Sequence, residues 1–148
     1  MKAEEMTILD FAPEKKQKRV SQINEPRNKT HVIALVPVEY LNHTWPDVKD
    51  EIQRAVARSN GRWSIEFLYA AILNGQQQLW VAFDEDKNID GVGTTEVAYY
   101  PAKMMLAIQF LGGKNFNSWV WDMLEKFKQF GRDNNCQGIE ATGRPGFW

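Results

Sequence analysis

The sequence contains a single cysteine, Cys136, among 148 residues. One cysteine excludes a disulfide bond within the chain, and with it the class of small secreted domains that depend on such bonds. The first ten residues carry charges and lack the apolar stretch of a signal peptide. No run approaches the roughly 20 apolar residues that a membrane helix needs. We therefore expect a soluble protein, made in a reducing cytoplasm, with no membrane partner.

An excess of charge of one sign is also missing. Eighteen basic and 19 acidic residues leave a net charge of −1, so nucleic acid is not an expected partner. His31 and His43 are the only histidines, and neither has a ligand-spaced neighbour. We interpret them as surface or capping residues and expect no metal site. Cys136 follows the end of a predicted helix, which favours a half-buried structural thiol over a reactive one.

The segment from Met104 to Arg144 contains the strongest pattern. An apolar run ends at Gly112-Gly113, and a short polar turn follows. Apolar residues then recur at helical spacing between Val120 and Phe130. A new strand begins after Gly138. This order predicts a β-α-β unit, which normally joins two parallel strands by a right-handed crossover.

Residues 31–41 predict the first strand of the domain, and Pro37 indicates an edge or a bulge. A helix should follow, with Thr44 as its N-cap and Pro46 near its first turn. Gly61 would end this helix.

A second helix is predicted between Ser64, as its cap, and Gly75. Two strands then flank residues 86–88, which predict a hairpin loop between antiparallel neighbours. The element order is β, α, α, β, β, β, α, β. We conclude that the fold class is α+β, with a mixed, mostly antiparallel sheet and helices on both faces.

Residues 1–30 differ from the rest of the chain, which we assign to one domain at 31–148. They hold one apolar cluster, around Ile8, and a basic run. Such a composition buries too little apolar area to offset its ordering entropy, so we predict an extended arm. Two interpretations stay open: the arm binds a partner protein, or it is a tail without a role.

Three segments together resemble the GNAT N-acetyltransferase superfamily: QLWVAFDEDKNIDGVGTTEV, MLAIQFLGGKNFNSWVWDMLEKFKQFGRDNNC and IEATGRPGFW. The resemblance covers residues 31–148 and is greatest to the small GNAT-like proteins of tailed bacteriophages. It implies a central strand that splays from its neighbour. It also implies acetyl-CoA as the cofactor, with its pyrophosphate at the turn that follows this strand.

A glycine-rich turn that opens a helix suits phosphate, because unpaired N–H groups and the helix dipole favour anions there. The turn lacks the leading basic residue and the spaced second glycine of the family pattern. A purely structural glycine turn is therefore the competing interpretation. The cofactor-binding candidates are Phe110, Leu111, Gly112, Gly113, Lys114, Asn115 and Phe116.

The resemblance also implies a departure at the C-terminus. Family members continue with another helix, which often carries the tyrosine that protonates the leaving thiolate, and a last strand, whereas this sequence stops at Trp148. We interpret this as a truncated GNAT-like domain. Glu96 is then the candidate base, and Tyr99 or Tyr100 the candidate acid. The alternatives are an outward-facing glutamate and ordinary strand aromatics.

Trp119 and Trp121 cannot both face the sheet, because helix neighbours lie about 100° apart. One of them should meet solvent, a ligand or a partner. The candidates for partner binding combine this region with the arm and the last residue. They are Ile8, Leu9, Phe11, Lys15, Lys16, Lys18, Arg19, Trp121 and Trp148.

Two functions follow. The first, which the sequence favours, is a phage-type structural or assembly protein with a degenerate acetyltransferase-like fold. It would bind other virion or assembly proteins, or a second copy of itself, through the arm. Such a protein would be made in the host cytoplasm and carried in the virion. The second is an acetyl-CoA-dependent N-acyltransferase.

Overall fold

The computed structural model describes residues 6–10 and 30–142. Six strands and three α-helices make up this part of the chain. In chain order they are β1 (Met6–Asp10), β2 (Val32–Leu35), α1 (Leu41–Ala57), α2 (Ile65–Leu73), β3 (Gln78–Phe83), β4 (Ile89–Tyr99), β5 (Met104–Gly113), α3 (Phe116–Asp133) and β6 (Gly138–Thr142). A 3-10 turn, Val38–Tyr40, leads from β2 into α1.

The strands form one sheet in the order β1-β6-β5-β4-β3-β2. Strands β2 to β5 are antiparallel neighbours, as the hairpin signal at residues 86–88 predicted. Strand β6 pairs with β5 in parallel, with Leu106 opposite Ile139. The α+β class, the mixed sheet and the β-α-β crossover predicted from the sequence are therefore confirmed.

Helix α3 covers one face of the sheet, which we call the α3 face. Its buried side includes Trp119, Met123 and Phe127, which pack with sheet residues such as Trp80 and Leu106 into one core. Glycines in β4 leave room for this helix. A Cβ at Gly91 would overlap with the Trp119 indole. Trp119 thus buries its large apolar area without displacing the strand.

Helices α1 and α2 cover the opposite face, the α1/α2 face, over strands β2 to β5. Val48 and Ile52 of α1 and Leu68 of α2 are buried against Leu79 and Val81 of β3. The predicted cap of α2 is confirmed, because the Ser64 side chain accepts the Phe67 N–H at 3.0 Å. Helices therefore lie on both faces, and each closes a separate core.

The predicted start of α1 is wrong. The helix begins at Leu41, its N-cap is Tyr40, and Pro46 lies inside it. Leu41 is fully buried, so tertiary packing extends the helix towards the N-terminus beyond the Thr44 cap signal. Pro37 precedes the 3-10 turn, and β2 is an edge strand as predicted.

Part of the predicted N-terminal arm is a strand of the sheet. Strand β1 pairs antiparallel with β6 along its full length, from Met6 opposite Thr142 to Asp10 opposite Gly138. The backbone of Ile8 and Leu9 therefore lies in the sheet of the same chain. The other arm candidates, Phe11 and the basic run, fall outside the described residues, as does Trp148. The boundary between arm and domain stays a prediction.

Candidate active site

The parallel join between β5 and β6 is short. Pairing runs from Leu106 opposite Ile139 to Ile108 opposite Ala141 and then stops, although β5 continues to Gly113. In the described part of the chain, no strand pairs with this edge of β5 beyond Ile108. The two strands therefore part in the middle of the sheet, and β5 keeps a free backbone edge.

A bulge in β5 coincides with this parting. Thr95 pairs with Ile108 and Thr94 pairs with Phe110, so Gln109 is the additional residue. A bulge re-aims side chains locally and is common beside active sites. Here it places Gln109 against the same cavity as the residues of β4 and β6.

The cavity at this point has a volume of about 320 Å³ and opens on the α1/α2 face. Glu96, Ala107 and Glu140 form one row across it, because Glu96 is opposite Ala107 and Ala107 is opposite Glu140. The lining residues come from three adjacent strands and the turn after β4. They are Glu96, Ala98, Tyr100, Ala107, Ile108, Gln109, Glu140 and Ala141.

Each carboxylate of the row accepts a hydrogen bond from a neutral donor. Gln77 Nε2 donates to Glu96 Oε1 at 2.6 Å, and Tyr100 Oη donates to Glu140 Oε2. Glu140 is only 6% exposed. The hydrogen bond to Glu140, then burial, then the negative charge of Glu140 raise the pKa of Tyr100 above its ordinary value. The phenol therefore keeps its proton at neutral pH.

Gln77 supports the Glu96 carboxylate from outside the cavity. It is 2% exposed and is not among the lining residues. Its amide nitrogen contacts Glu96, and its carbonyl oxygen Oε1 is buried without a hydrogen-bond partner among the described residues. Gln77 therefore positions Glu96 and does not itself face the cavity.

The two tyrosines considered as an acid lie in different places. Tyr100 lines the cavity. Tyr99 is 75% exposed and is not among the lining residues. Tyr99 is the last residue of β4, whereas Tyr100 follows the strand and donates its hydroxyl to Glu140. The catalytic roles of Glu96 and Tyr99 stay predictions.

The glycine bend of the sequence analysis belongs to the end of β5. A Cβ at Gly113 would overlap with the backbone oxygen of Asp90, and Gly113 has φ +142°. A Cβ at Gly112 would lie 3.0 Å from Glu51 Oε2. Close contacts within the chain therefore explain why both positions are glycine, as the interpretation of a purely structural turn predicts.

Asp90 organises the backbone between β5 and α3. Its backbone oxygen accepts the Lys114 N–H at 2.8 Å, and its carboxylate accepts Asn115 Nδ2 at 3.2 Å. His31 Nε2 lies 2.9 Å from the same carboxylate oxygen. His31 is buried, so the interpretation as a surface histidine is wrong. Asn115 precedes the helix with a left-handed φ of 53°.

The structure distributes the other cofactor candidates over several environments. Phe110 packs on the α1/α2 face with its ring 6.1 Å from Trp63, whereas Leu111 packs on the α3 face. Lys114 is exposed beside Asn115, and Phe116 contacts the Trp119 ring at 5.2 Å. Gly112 to Phe116 are therefore together at the bend, while Phe110 and Leu111 serve the two cores.

Trp121 was the candidate for partner binding on α3. It is partly buried against the α3-face core, and its Nε1 is buried without a hydrogen-bond partner in the described part of the chain. Trp119 is fully buried. Both indoles therefore pack with the α3-face core, Trp119 fully and Trp121 partly, and the partner role of Trp121 stays a prediction.

Sequence reasoning missed Glu140 and Gln77. The sequence pattern places Glu140 in the strand after Gly138 and singles out neither residue. A glutamate flanked by Ile139 and Ala141 in an apolar strand is a signal, since carboxylates are rarely fully buried without a role. Its proximity to Glu96, however, follows only from the strand register.

A second cavity, of about 360 Å³, lies between α1 and α2. It is lined by Trp45 and Tyr69, whose rings meet edge to face at 4.9 Å, and by polar side chains. None of its lining residues belongs to the β5–β6 region.

Within residues 6–10 and 30–142, no three histidine, cysteine, aspartate or glutamate residues lie together as a metal site would require. No helix in the described ranges combines the length and apolarity needed to cross a bilayer.

The sequence matches no protein-family model, and no curated protein is significantly similar to it. Solved structures are nevertheless similar in fold. An aminoglycoside acetyltransferase, meta-AAC0020, from an uncultured soil metagenomic sample and solved with sisomicin, superposes with a TM-score of 0.58 at 17% identity, over 78% of this chain and 79% of that one. The aminoglycoside N-acetyltransferase AAC(6')-Iy in complex with CoA gives 0.57 at 12% identity, over 83% of both chains.

A tetramutant of the BH1408 protein from Bacillus halodurans gives a TM-score of 0.56 at 13% identity, over 78% of this chain and 84% of that one. These neighbours have the GNAT fold, and identities this low establish fold and not activity. The GNAT-like fold expected from the resemblance is therefore confirmed.

Proposed function

We propose that the protein is an acyl-CoA-dependent N-acyltransferase. The observation that carries the proposal is the coincidence of three features at one point: the parting of β5 and β6 after Ile108, the bulge at Gln109, and a cavity with two carboxylates. Structural neighbours of this fold are acetyltransferases, one of them solved with CoA. The composition of the N-terminal segment favours a structural role, whereas these observations favour the N-acyltransferase alternative.

The chain's own residues suit an amine acceptor. Glu96 and Glu140 make the cavity negative, and none of the described residues that line it is a lysine, arginine or histidine. An ammonium group is therefore attracted to it. Glu96 is held by Gln77 and can take the proton that the ammonium must lose before it attacks. A C–N bond then forms, the thioester C–S bond breaks, and the sulfur leaves as a thiol with the second proton that the nitrogen loses.

The residues present fit an acyl-CoA donor. The edge of β5 beyond Ile108 offers backbone N–H and C=O groups to an extended amide chain. The first turn of α3 has no acidic residue, and Lys114 is exposed beside it, which suits phosphate. When bound, the cofactor supplies an activated acyl thioester. Glu51, beside Gly112, is paired with Arg54, which offsets its negative charge.

Tyr100 serves as a hydrogen-bond donor in this proposal. Its pKa is raised chiefly by the hydrogen bond to Glu140, so it remains protonated where the enzyme would work. It can therefore donate its hydrogen bond to Glu140 throughout that range. Tyr99, which is exposed outside the cavity, has no assigned step.

The test combines binding and turnover. Acetyl-CoA at millimolar concentration should raise the melting temperature by mass action, and release of free thiol should depend on an added primary amine. Glu96→Gln should abolish amine-dependent release while the melting shift persists. Absence of any melting shift at millimolar acetyl-CoA would overturn the proposal.

A structural or assembly role in a virion is a second proposal. It depends on the basic run of the N-terminal arm and on the resemblance to phage-type proteins. One structural observation favours it: β1 is the outermost strand, and in the described ranges its second edge has no strand partner. Deleting residues 1–30 and measuring co-assembly with virion proteins or with a second copy tests it, and unchanged assembly would remove its support.

A further inference from the structure

The row of Glu96, Ala107 and Glu140 sets two carboxylates at a fixed spacing. Each residue is opposite the next on an adjacent strand, so Glu96 and Glu140 are two strand spacings apart. Neighbouring strands lie about 4.8 Å apart, which separates the two Cα atoms by about 10 Å. Because partners in register point to the same face, both carboxylates rise from the same side of the sheet.

The floor between the two carboxylates is apolar and low. Ala98 and Ala107 line the cavity there, and each presents only a methyl group. A short alkyl chain can therefore lie across β5 in contact with these methyl groups. A bulkier side chain at Ala107 would fill this space, since Ala107 is the middle residue of the row.

Both ends of the row lack a cation. In the described part of the chain, Glu96 and Glu140 take part in no salt bridge, and their hydrogen-bond donors are the neutral groups of Gln77 and Tyr100. Glu140 is only 6% exposed. A buried carboxylate without a cation is costly, and a positively charged ligand group relieves that cost.

The Glu96 end lines the cavity and is only partly satisfied. Gln77 Nε2 donates to Glu96 Oε1 at 2.6 Å, and among the described residues no donor contacts the second carboxylate oxygen. A carboxylate oxygen without a donor matches a positively charged group with N–H donors. A primary ammonium has three such donors.

We infer that the acceptor is a diamine, with one ammonium at Glu96 and the second at Glu140. This deepens the proposed function and rests on it for the identity of the ligand as an acyl acceptor. The ammonium at Glu96 is the one that loses its proton and is acylated, and Glu140 anchors the other. With charge-assisted contacts at both ends, about four or five methylene groups span the row.

Binding of amines to the protein without acyl donor tests the inference directly. The probes are 1,4-diaminobutane and 1-aminobutane, compared by melting temperature at equal ionic strength. We expect the diamine to bind wild-type protein at least about tenfold more tightly, because only it reaches both carboxylates. Equal binding of the two amines by wild-type protein would overturn the inference, whatever any variant does.

The variant that isolates the anchor is Glu140→Gln. It should reduce the diamine preference from about tenfold to about one. Glu125→Gln, at an exposed glutamate on α3, is the matched control and should keep the full preference. If Glu140→Gln does not fold, Ala107→Leu tests the same row by filling its floor, and a retained diamine preference in either variant would contradict the inference.

Turnover separates this inference from the proposed function. If both amines are acylated from acetyl-CoA with equal KM, the acyltransferase proposal stands and the diamine inference fails. If the diamine binds preferentially but no amine is acylated, the acyltransferase proposal fails and the diamine site stands as a binding site. A diamine KM about tenfold below that of the monoamine, lost in Glu140→Gln, supports both.

Discussion

The two edges of strand β5 differ in how far they are paired. Towards β4 it is paired from Tyr99 opposite Met104 to Gly91 opposite Gly113. Towards β6 the pairing ends at Ile108, and the rest of that edge stays open in the described part of the chain. The first edge lies between two helix-covered cores, whereas the second opens beside a polar cavity.

The difference shows how one strand can be scaffold and site together. The β4–β5 edge fixes where β5 runs, so the unpaired backbone on the other side is held in place without a partner of its own. Preorganised groups of this kind cost no reorganisation when a ligand binds. We call the edge of β5 that pairs with β4 the closed edge, and the edge beyond Ile108 that faces away from β4 the open edge. Residues that hold the closed edge should therefore govern stability, and residues at the open edge should govern ligand binding and reaction rate.

The largest expected effect is on the closed edge, at Gly113. Gly113→Ala would force a Cβ into the backbone oxygen of Asp90, which cannot move aside as a side chain can. We expect a loss of about 3 kcal/mol of unfolding free energy, measured by urea denaturation. Gly112→Ala is the matched control, because its Cβ would meet only the mobile end of Glu51. Equal losses in the two variants would contradict the assignment.

At the open edge, Glu96→Gln should act on rate and not on folding. Loss of a general base lowers kcat by about 100-fold or more. The unfolding free energy should change by less than about 0.5 kcal/mol, because Glu96 is only partly buried. Steady-state thiol release and urea denaturation check the two halves of this prediction. An unchanged kcat would remove Glu96 from the mechanism.

A smaller effect is expected at helix α2, which covers part of the α1/α2 face. Ser64→Ala removes the side chain that caps α2 through the Phe67 N–H, and should cost about 1 kcal/mol of stability. Thr44→Ala is the paired variant, since Thr44 lies inside α1 and not at its cap. If Thr44→Ala were the more damaging of the two, the observed helix starts would be contradicted.

The smallest effect is the pH dependence of Tyr100 at the open edge. Its pKa in the folded protein is raised above the ordinary 10.0, first by the hydrogen bond to Glu140, then by burial and by the charge of Glu140. The stability that this contributes is complete below pH 10.0 and is lost as pH rises through the folded value. Wild-type protein should therefore lose melting temperature more steeply than Tyr100→Phe as pH rises above 10.0. Parallel curves would show that the hydrogen bond is absent.

Much of the fold could be predicted because local patterns specify it. Apolar spacing between Val120 and Phe130 marked α3, and the Ser64 cap marked α2. Residues 86–88 gave the hairpin. Local signals failed at the start of α1, where burial of Leu41 outweighs the capping preference of Thr44. His31 failed for the same reason, because only the folded chain sets it against Asp90.

The candidate site was half predictable. Glu96 stood out as a carboxylate in a strand, and the glycine bend stood out as a turn. Glu140 and Gln77 did not, since their importance depends on which residues they meet across the sheet. The bend itself proved to have packing reasons, through Asp90 and Glu51, that a motif cannot reveal.

The order of helices and strands, and the apolar faces that they bury, were determined by the sequence alone, because hydrophobic periodicity and turn chemistry act over a few residues. The tertiary structure alone decided the register that aligns Glu96, Ala107 and Glu140, and the point at which β5 leaves β6. Register is a property of strands distant in sequence, and a shift by one residue would turn each carboxylate to the other face.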